Sequence, residues 1–236
     1  PMGEEQPGLI DEDGRLRDLS GVIADIDAEV LSPEGLAKLA KRAVKRLPLV
    51  AGNPRLGCPV ANVGKLVGIG LNYADHAAES NLPVPKEPVV FIKANSCIQG
   101  ATDPVMLPKG SEHTDWEVEL GVVIGKTASC VSKREALSHV AGYCVVNDLS
   151  ERAFQIQRGG TWDKGKGCDT FGPIGPWLVT RDEVPNPQKL DLWLDLNGER
   201  RQTSNTRHMI SSGPALTTHP THSLPLRPGG VFPPPP

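Results

Sequence analysis

In the run Asp115-Trp-Glu-Val-Glu-Leu-Gly-Val-Val-Ile124, one residue separates Glu117 from Glu119. A strand sends alternate side chains to the same side, so this spacing sets the two carboxylates together and gives Trp116, Val118, Leu120 and Val122 the opposite face. Two anions held side by side repel, and a bound divalent cation is the usual reason such a pair is tolerated. Asp148 closes a second apolar run, Val140-Ala-Gly-Tyr-Cys-Val-Val-Asn-Asp148, where a functional loop commonly begins. It would complete a hard, all-oxygen metal site. Standing alone, a Glu-x-Glu in a strand is more often a solvated face than a ligand pair.

His76 and Glu79 lie three apart, so one helical turn brings imidazole and carboxylate within reach of each other. Glu79 would orient the ring and raise its basicity for taking a proton from water; an exposed helix pair is the plain alternative. Lys166, between Gly165 and Gly167, sits where backbone freedom allows close approach to a ligand. Beside a metal it could balance a substrate carboxylate or a developing oxyanion. Arg152 could grip a carboxylate bidentately or bridge to one of the metal-site acids.

These groups need a rigid frame. Short apolar runs recur from Leu66 to Leu71, Val89 to Lys93, Glu117 to Ile124, Val140 to Asn147, Trp177 to Thr180 and Leu190 to Leu196. With 25 glycines and 23 prolines punctuating the chain, they predict a β-rich α/β body. Residues 1–60 read as a small N-terminal segment, with a hairpin piece at Gly14-Arg-Leu-Arg17 and a helix over Ser32 to Val44 capped by Ser32, with Pro33 first. Residues 61–210 form the expected catalytic body. Residues 211–236 carry eight prolines, three glycines and no acidic residue, which makes them an atypical or incomplete tail with no long helix.

At 236 residues, 38% hydrophobic and with a formal net charge of −3, the chain has the composition of a soluble globular protein and no basic footprint for nucleic acid. No apolar run reaches bilayer length, and the start, Pro-Met-Gly-Glu-Glu-Gln6, lacks the basic-then-apolar pattern of a signal peptide. Five cysteines without a Cys-x-x-Cys pair suggest neither zinc nor a disulfide framework. The expectation is a cytoplasmic protein with no nucleic-acid or membrane partner.

Four motifs occur in order over roughly residues 62 to 210: Gly70-Leu-Asn-Tyr-Ala-Asp-His-Ala-Ala-Glu79, Trp116-Glu-Val-Glu-Leu120, Asn147-Asp-Leu-Ser-Glu-Arg152 and Trp162-Asp-Lys-Gly-Lys-Gly-Cys-Asp-Thr-Phe-Gly-Pro173. Together they resemble the fumarylacetoacetate hydrolase superfamily. The likeness is greatest to short bacterial members assigned to 2,4-diketo-3-deoxy sugar acids, such as the fuconate and rhamnonate derivatives. Animal fumarylacetoacetate hydrolase domain-containing proteins are also similar. The resemblance implies a mixed β-sandwich roll behind a small N-terminal segment, a Mg2+ or Mn2+ cofactor, and a homodimer.

By the same resemblance the metal carboxylates fall on Glu117, Glu119 and Asp148, the acid-base pair on His76 and Glu79, and the active-site lysine on Lys166. Arg152, Gln155 and Tyr73 take substrate-facing positions. After Thr206-Arg-His-Met-Ile210 the sequence departs from the family pattern. An apolar helix gives way to Gly213-Pro-Ala-Leu-Thr-Thr-His-Pro220, and a Thr-Gly-Thr-Pro substrate loop is expected to be missing. The implied activity is metal-dependent hydrolysis of a carbon-carbon bond in an acylpyruvate-type 2,4-diketo acid, giving pyruvate and a carboxylic acid. The alternatives are decarboxylation or keto-enol tautomerisation of a related keto acid, and a non-catalytic ligand-binding relative.

Overall fold

The computed structural model describes residues 5–70, 87–209, 218, 219, 221 and 224–233. At the amino end, β1 (Gly8–Ile10) and β2 (Leu16–Asp18) form an antiparallel hairpin, in the region where the sequence suggests one. The helix capped by Ser32 is shorter than its sequence predicts: it spans Pro33–Leu39 and stops before Val44. Ser32 accepts the Gly35 N–H at 3.0 Å as the cap requires, but no residue of this helix is fully buried. Without a buried stripe, propensity alone does not carry it further.

The body is a seven-stranded mixed sheet. Its strands are β3 (Leu66–Gly70), β4 (Val89–Lys93), β5 (Ile98–Gly100), β7 (Val118–Ile124), β8 (Val140–Asn147), β10 (Gly172–Thr180) and β13 (Val231–Phe232), ordered β4-β3-β13-β7-β8-β10-β5. The β3/β13 and β10/β5 pairs are parallel and the rest antiparallel. Two more small ladders flank it: β6 (Thr114–Asp115) with β9 (Ser150–Glu151), and β11 (Asp191–Leu196) with β12 (Glu199–Asn205).

The sheet curls strongly. From β4 to β8 is four strand-to-strand steps, about 19 Å in a flat sheet. Yet Lys93, the last residue of β4, forms an ion pair with Asp148, one residue past β8. Only a rolled sheet closes that gap. Its concave side holds Leu66, Val123, Val146, Phe171, Ile174 and Val231, with Leu31, Val60 and Val63 from the preceding segment packed among them. Val67, Ile69, Leu120, Val122, Ile124, Tyr143, Leu226 and Phe232 form a second cluster on the other side. All seven residues of β7 are therefore buried, and alternation decides which cluster each side chain joins.

The carboxyl-terminal stretch contributes to this frame. Val231 pairs with Leu66 on one side and Val123 on the other, inserting β13 between β3 and β7. Among the described residues no helix is long and apolar enough to cross a membrane.

Candidate metal and acid-base site

Antiparallel pairing of β7 with β8 sets Val118 opposite Asn147, so the entrance of one strand meets the exit of the other. The Asp148 N–H donates to the Glu117 carbonyl at 2.8 Å, and the Asn147 side-chain oxygen accepts the Glu117 N–H at 3.2 Å. Glu117, Glu119 and Asp148 thereby converge, each offering an oxygen within 4.8 Å of the others, and all three are buried. The solvated-face alternative for Glu117 and Glu119 is thus excluded: they are 5% and 0% exposed.

Three cations surround the acids. Arg152 Nη2 donates to Glu117 Oε1 at 2.8 Å and to Asp115 at 2.7 Å, while its Nη1 donates to Gln155 at 3.1 Å. Lys166 Nζ donates to the other Glu117 oxygen and to Asp148 Oδ2, the latter at 2.6 Å. Lys93 Nζ donates to Asp148 Oδ1 and, at 3.2 Å, to the Leu149 carbonyl. Both Glu119 oxygens, by contrast, are buried with no hydrogen-bond partner among the described residues.

The two glutamates titrate in opposite directions. Burial alone would raise Glu117, but the charges of Lys166 and Arg152 outweigh it and hold its carboxyl down at about 2. Burial pushes Glu119 well above the ordinary carboxylate range, and the negative charges of Asp148 and Glu117 push it further. A buried acid left without partners is costly in a fold that satisfies its neighbours. Its oxygens, beside those of two more acids, fit a hard divalent cation that would satisfy all three.

Neighbouring elements hold the cations. Lys166 closes a four-residue helix, Asp163–Lys166, whose Gly165 lies so close to helix Arg152–Gln157 that a Cβ there would sit 2.4 Å from the Glu151 carbonyl. Gly165 therefore serves a close helix contact that a side chain would block. Opposite Gly68, Phe91 packs where a Cβ would be 2.1 Å from its ring, and Lys166 Nζ lies 5.2 Å from that ring's centroid. Glu151 accepts from Ser111, the Thr114 hydroxyl and the His113 and Ala153 N–H groups, tying the loop before β6 to the start of the helix that carries Arg152 and Gln155.

Of the residues singled out from sequence, Glu117, Glu119, Asp148, Lys166, Arg152 and Gln155 are brought together. Tyr73, His76 and Glu79 lie outside the described residues. Lys93 and Glu151 escaped the sequence reading. Lys93 carried a usable signal, since in Val89-Val-Phe-Ile-Lys93 it falls in step with buried Phe91, and a lysine on the inward phase of an apolar strand needs a buried partner.

A curled mixed sheet presents a buried triad of acids ringed by lysine and arginine. Residues 65–233 match the family model described as the fumarylacetoacetate (FAA) hydrolase C-terminal domain. The chain belongs to the fumarylacetoacetate hydrolase family and is an enzyme of that family. A Burkholderia lata protein described as a provisional hydrolase, with no substrate named, is 60% identical over 232 residues, which is 98% of this chain and 82% of that protein. Fumarylacetoacetate hydrolase from psychrophilic Exiguobacterium antarcticum superposes with a TM-score of 0.83 and 27% identity, over 99% of this chain and 84% of its own. The 5-carboxymethyl-2-hydroxymuconate delta-isomerase of Mycobacterium smegmatis gives a TM-score of 0.70 and 33% identity, over 80% of this chain and 75% of its own.

Proposed function

We propose that this chain is a divalent-metal-dependent hydrolase that cleaves a carbon-carbon bond in an acylpyruvate-type 2,4-diketo acid, a class that includes 2,4-diketo-3-deoxy sugar acids. The observation that carries the reading is the pair of unpartnered Glu119 oxygens, buried beside Glu117 and Asp148. Those three acids would hold Mg2+ or Mn2+, which when bound would supply Lewis-acid stabilisation of negative charge on a chelated keto acid.

The remaining work falls to side chains. His76, oriented by Glu79, would take a proton from water, which then attacks the distal keto carbon. Collapse of the tetrahedral adduct breaks the bond to the pyruvoyl part, whose enolate charge Lys166 faces and stabilises before protonation to pyruvate. Arg152 and Gln155, together with Tyr73, would contact the ligand while Arg152 keeps Glu117 ionised. The protein is further proposed to act as a cytoplasmic homodimer without nucleic-acid or membrane partners.

The test is product analysis on a simple acylpyruvate. Hydrolysis predicts pyruvate plus one carboxylic acid, with solvent oxygen in that acid, and activity lost to chelator and in Glu119→Gln. Full, chelator-insensitive activity in that variant would sink the reading. The muconate isomerase at 33% identity favours one second reading, isomerisation or tautomerisation through the same stabilised enolate. It predicts a spectral change without solvent oxygen in any released acid, and the related decarboxylase would release carbon dioxide.

A further inference from the structure

All four oxygens of Glu117 and Asp148 already face cations. Arg152 and Lys166 divide the Glu117 carboxylate, and Lys93 and Lys166 divide that of Asp148. The Lys166 ammonium thus bridges two of the three acids, on the oxygens that are not turned to Arg152 or Lys93. A divalent ion taking one oxygen from each acid would compete with these cations for Glu117 and Asp148, and Lys166 is the one cation among the described residues that holds an oxygen of both. Two cations on one oxygen repel, so both cannot keep it on equal terms.

We infer that in the cation-free protein the Lys166 ammonium is a tethered stand-in for the divalent ion, and that metal entry displaces it from Glu117 and Asp148 toward the substrate. This rests on the acid cluster being the metal site. Lys166 is the cation placed to move. Lys93 is tied additionally to the Leu149 carbonyl, and the Arg152 guanidinium is spread over Asp115, Glu117 and Gln155. Lys166 Nζ hydrogen-bonds only the two carboxylates among the described residues, with the Phe91 ring face 5.2 Å away. The exchange gives binding an order: a keto acid carboxylate meets a released ammonium only after the metal is in place. It also keeps the second oxygen of both Glu117 and Asp148 paired while the metal is absent.

Calorimetric titration with Mn2+ tests this on wild type, Lys166→Met, Lys166→Arg and Glu119→Gln. Losing the competitor should tighten Mn2+ binding by about tenfold or more in Lys166→Met, since a unit charge a few ångströms from a divalent ion is removed. Lys166→Arg, which keeps the charge, should stay near wild type. If Lys166→Met binds no tighter while Glu119→Gln loses binding, the displacement idea is overturned and the metal site stands. If wild type binds no Mn2+, or Glu119→Gln binds as well as wild type, the metal reading falls and takes this inference with it. A measurement on the wild-type protein covers a methionine variant that fails to fold: acetylation of Lys166 by acetic anhydride, followed by mass spectrometry, should quicken when Mn2+ is added. An unchanged or slower rate overturns the inference.

Discussion

Two carboxylates buried in different parts of this molecule have opposite fates. Asp11, in the turn between β1 and β2, accepts the N–H groups of Asp13 and Arg15 at 3.0 and 2.9 Å and the Arg17 guanidinium at 2.8 Å. Burial opposes its ionisation, but those bonds together hold its carboxyl down at about 2. Glu119 accepts nothing from the described residues, and burial pushes its carboxyl up. Asp11 is complete within its own hairpin, so its role is structural. Glu119 is left without a partner among the described residues, and a buried, unsatisfied acid beside two paired ones points to a bound cation as its partner.

Glu119→Gln gives the largest contrast. Removing one of the three proposed ligands should weaken Mn2+ binding by about a thousandfold, beyond the 10–100-fold typical of losing an outer partner, as read by calorimetry. The same change should leave the metal-free protein at least as stable as wild type, because it deletes an unpaired buried acid. A metal-free variant that melts well below wild type would place Glu119 with Asp11 as a structural acid. Lys93→Met should act the other way. It removes one partner of a wholly buried pair, and should lower unfolding free energy in chelator by about 3 kcal/mol, the lower end for such a loss because Lys166 still holds Asp148. Denaturant titration checks it.

The pH dependence follows from the same pair of signs. Glu119 has a folded pKa above its unfolded one, so its penalty is absent at low pH and grows as pH rises above the usual value of 4.5. In chelator, the melting advantage of Glu119→Gln over wild type should therefore widen between about pH 5 and 8. Metal entry must expel that proton, so Mn2+ affinity should rise with pH by up to about tenfold per unit, with proton release visible as a buffer-dependent heat. Glu117 contributes the reverse: its stabilisation, present above the usual 4.5, is lost as pH falls toward about 2. A flat affinity profile across that range would mean Glu119 is already ionised without metal.

Much of this arrangement was legible in the sequence because period-two alternation and apolar runs are local signals. Val89–Lys93 and Val140–Asn147 form strands as the runs predict, and β7 begins one residue after Glu117. The glutamate pair and Asp148 converge because those two strands are neighbours. Elements fixed by distant contacts were harder to read. β12, Glu-Arg-Arg-Gln-Thr-Ser-Asn, is polar and mostly exposed, and pairing with β11 makes it a strand. β13 is two residues amid prolines, held by β3 and β7 on either side. Lys93 was hidden for a related reason: its partner Asp148 lies 55 residues on, reached only through the roll of the sheet.

Asp11→Asn has the smallest expected effect and tests whether the two acids are independent. The amide keeps the shape, and its oxygen can still accept the Asp13 and Arg15 N–H groups that share Oδ1, but it gives up the charge and the Oδ2 acceptor that face Arg17 Nε, while Arg17 Nη1 keeps the Leu47 carbonyl. The melting temperature should fall by a few degrees, the scale expected for a chain of this size. Mn2+ affinity should not change, because Arg17 and Asp11 belong to the hairpin and share no bond with the acid cluster. A matched loss of metal affinity would show that the hairpin is coupled to the site through the Leu31 and Val60 packing beneath the sheet. In that case the two acids would no longer be independent, and the division between a self-contained structural carboxylate and one awaiting its cation would have to be redrawn along that packed layer.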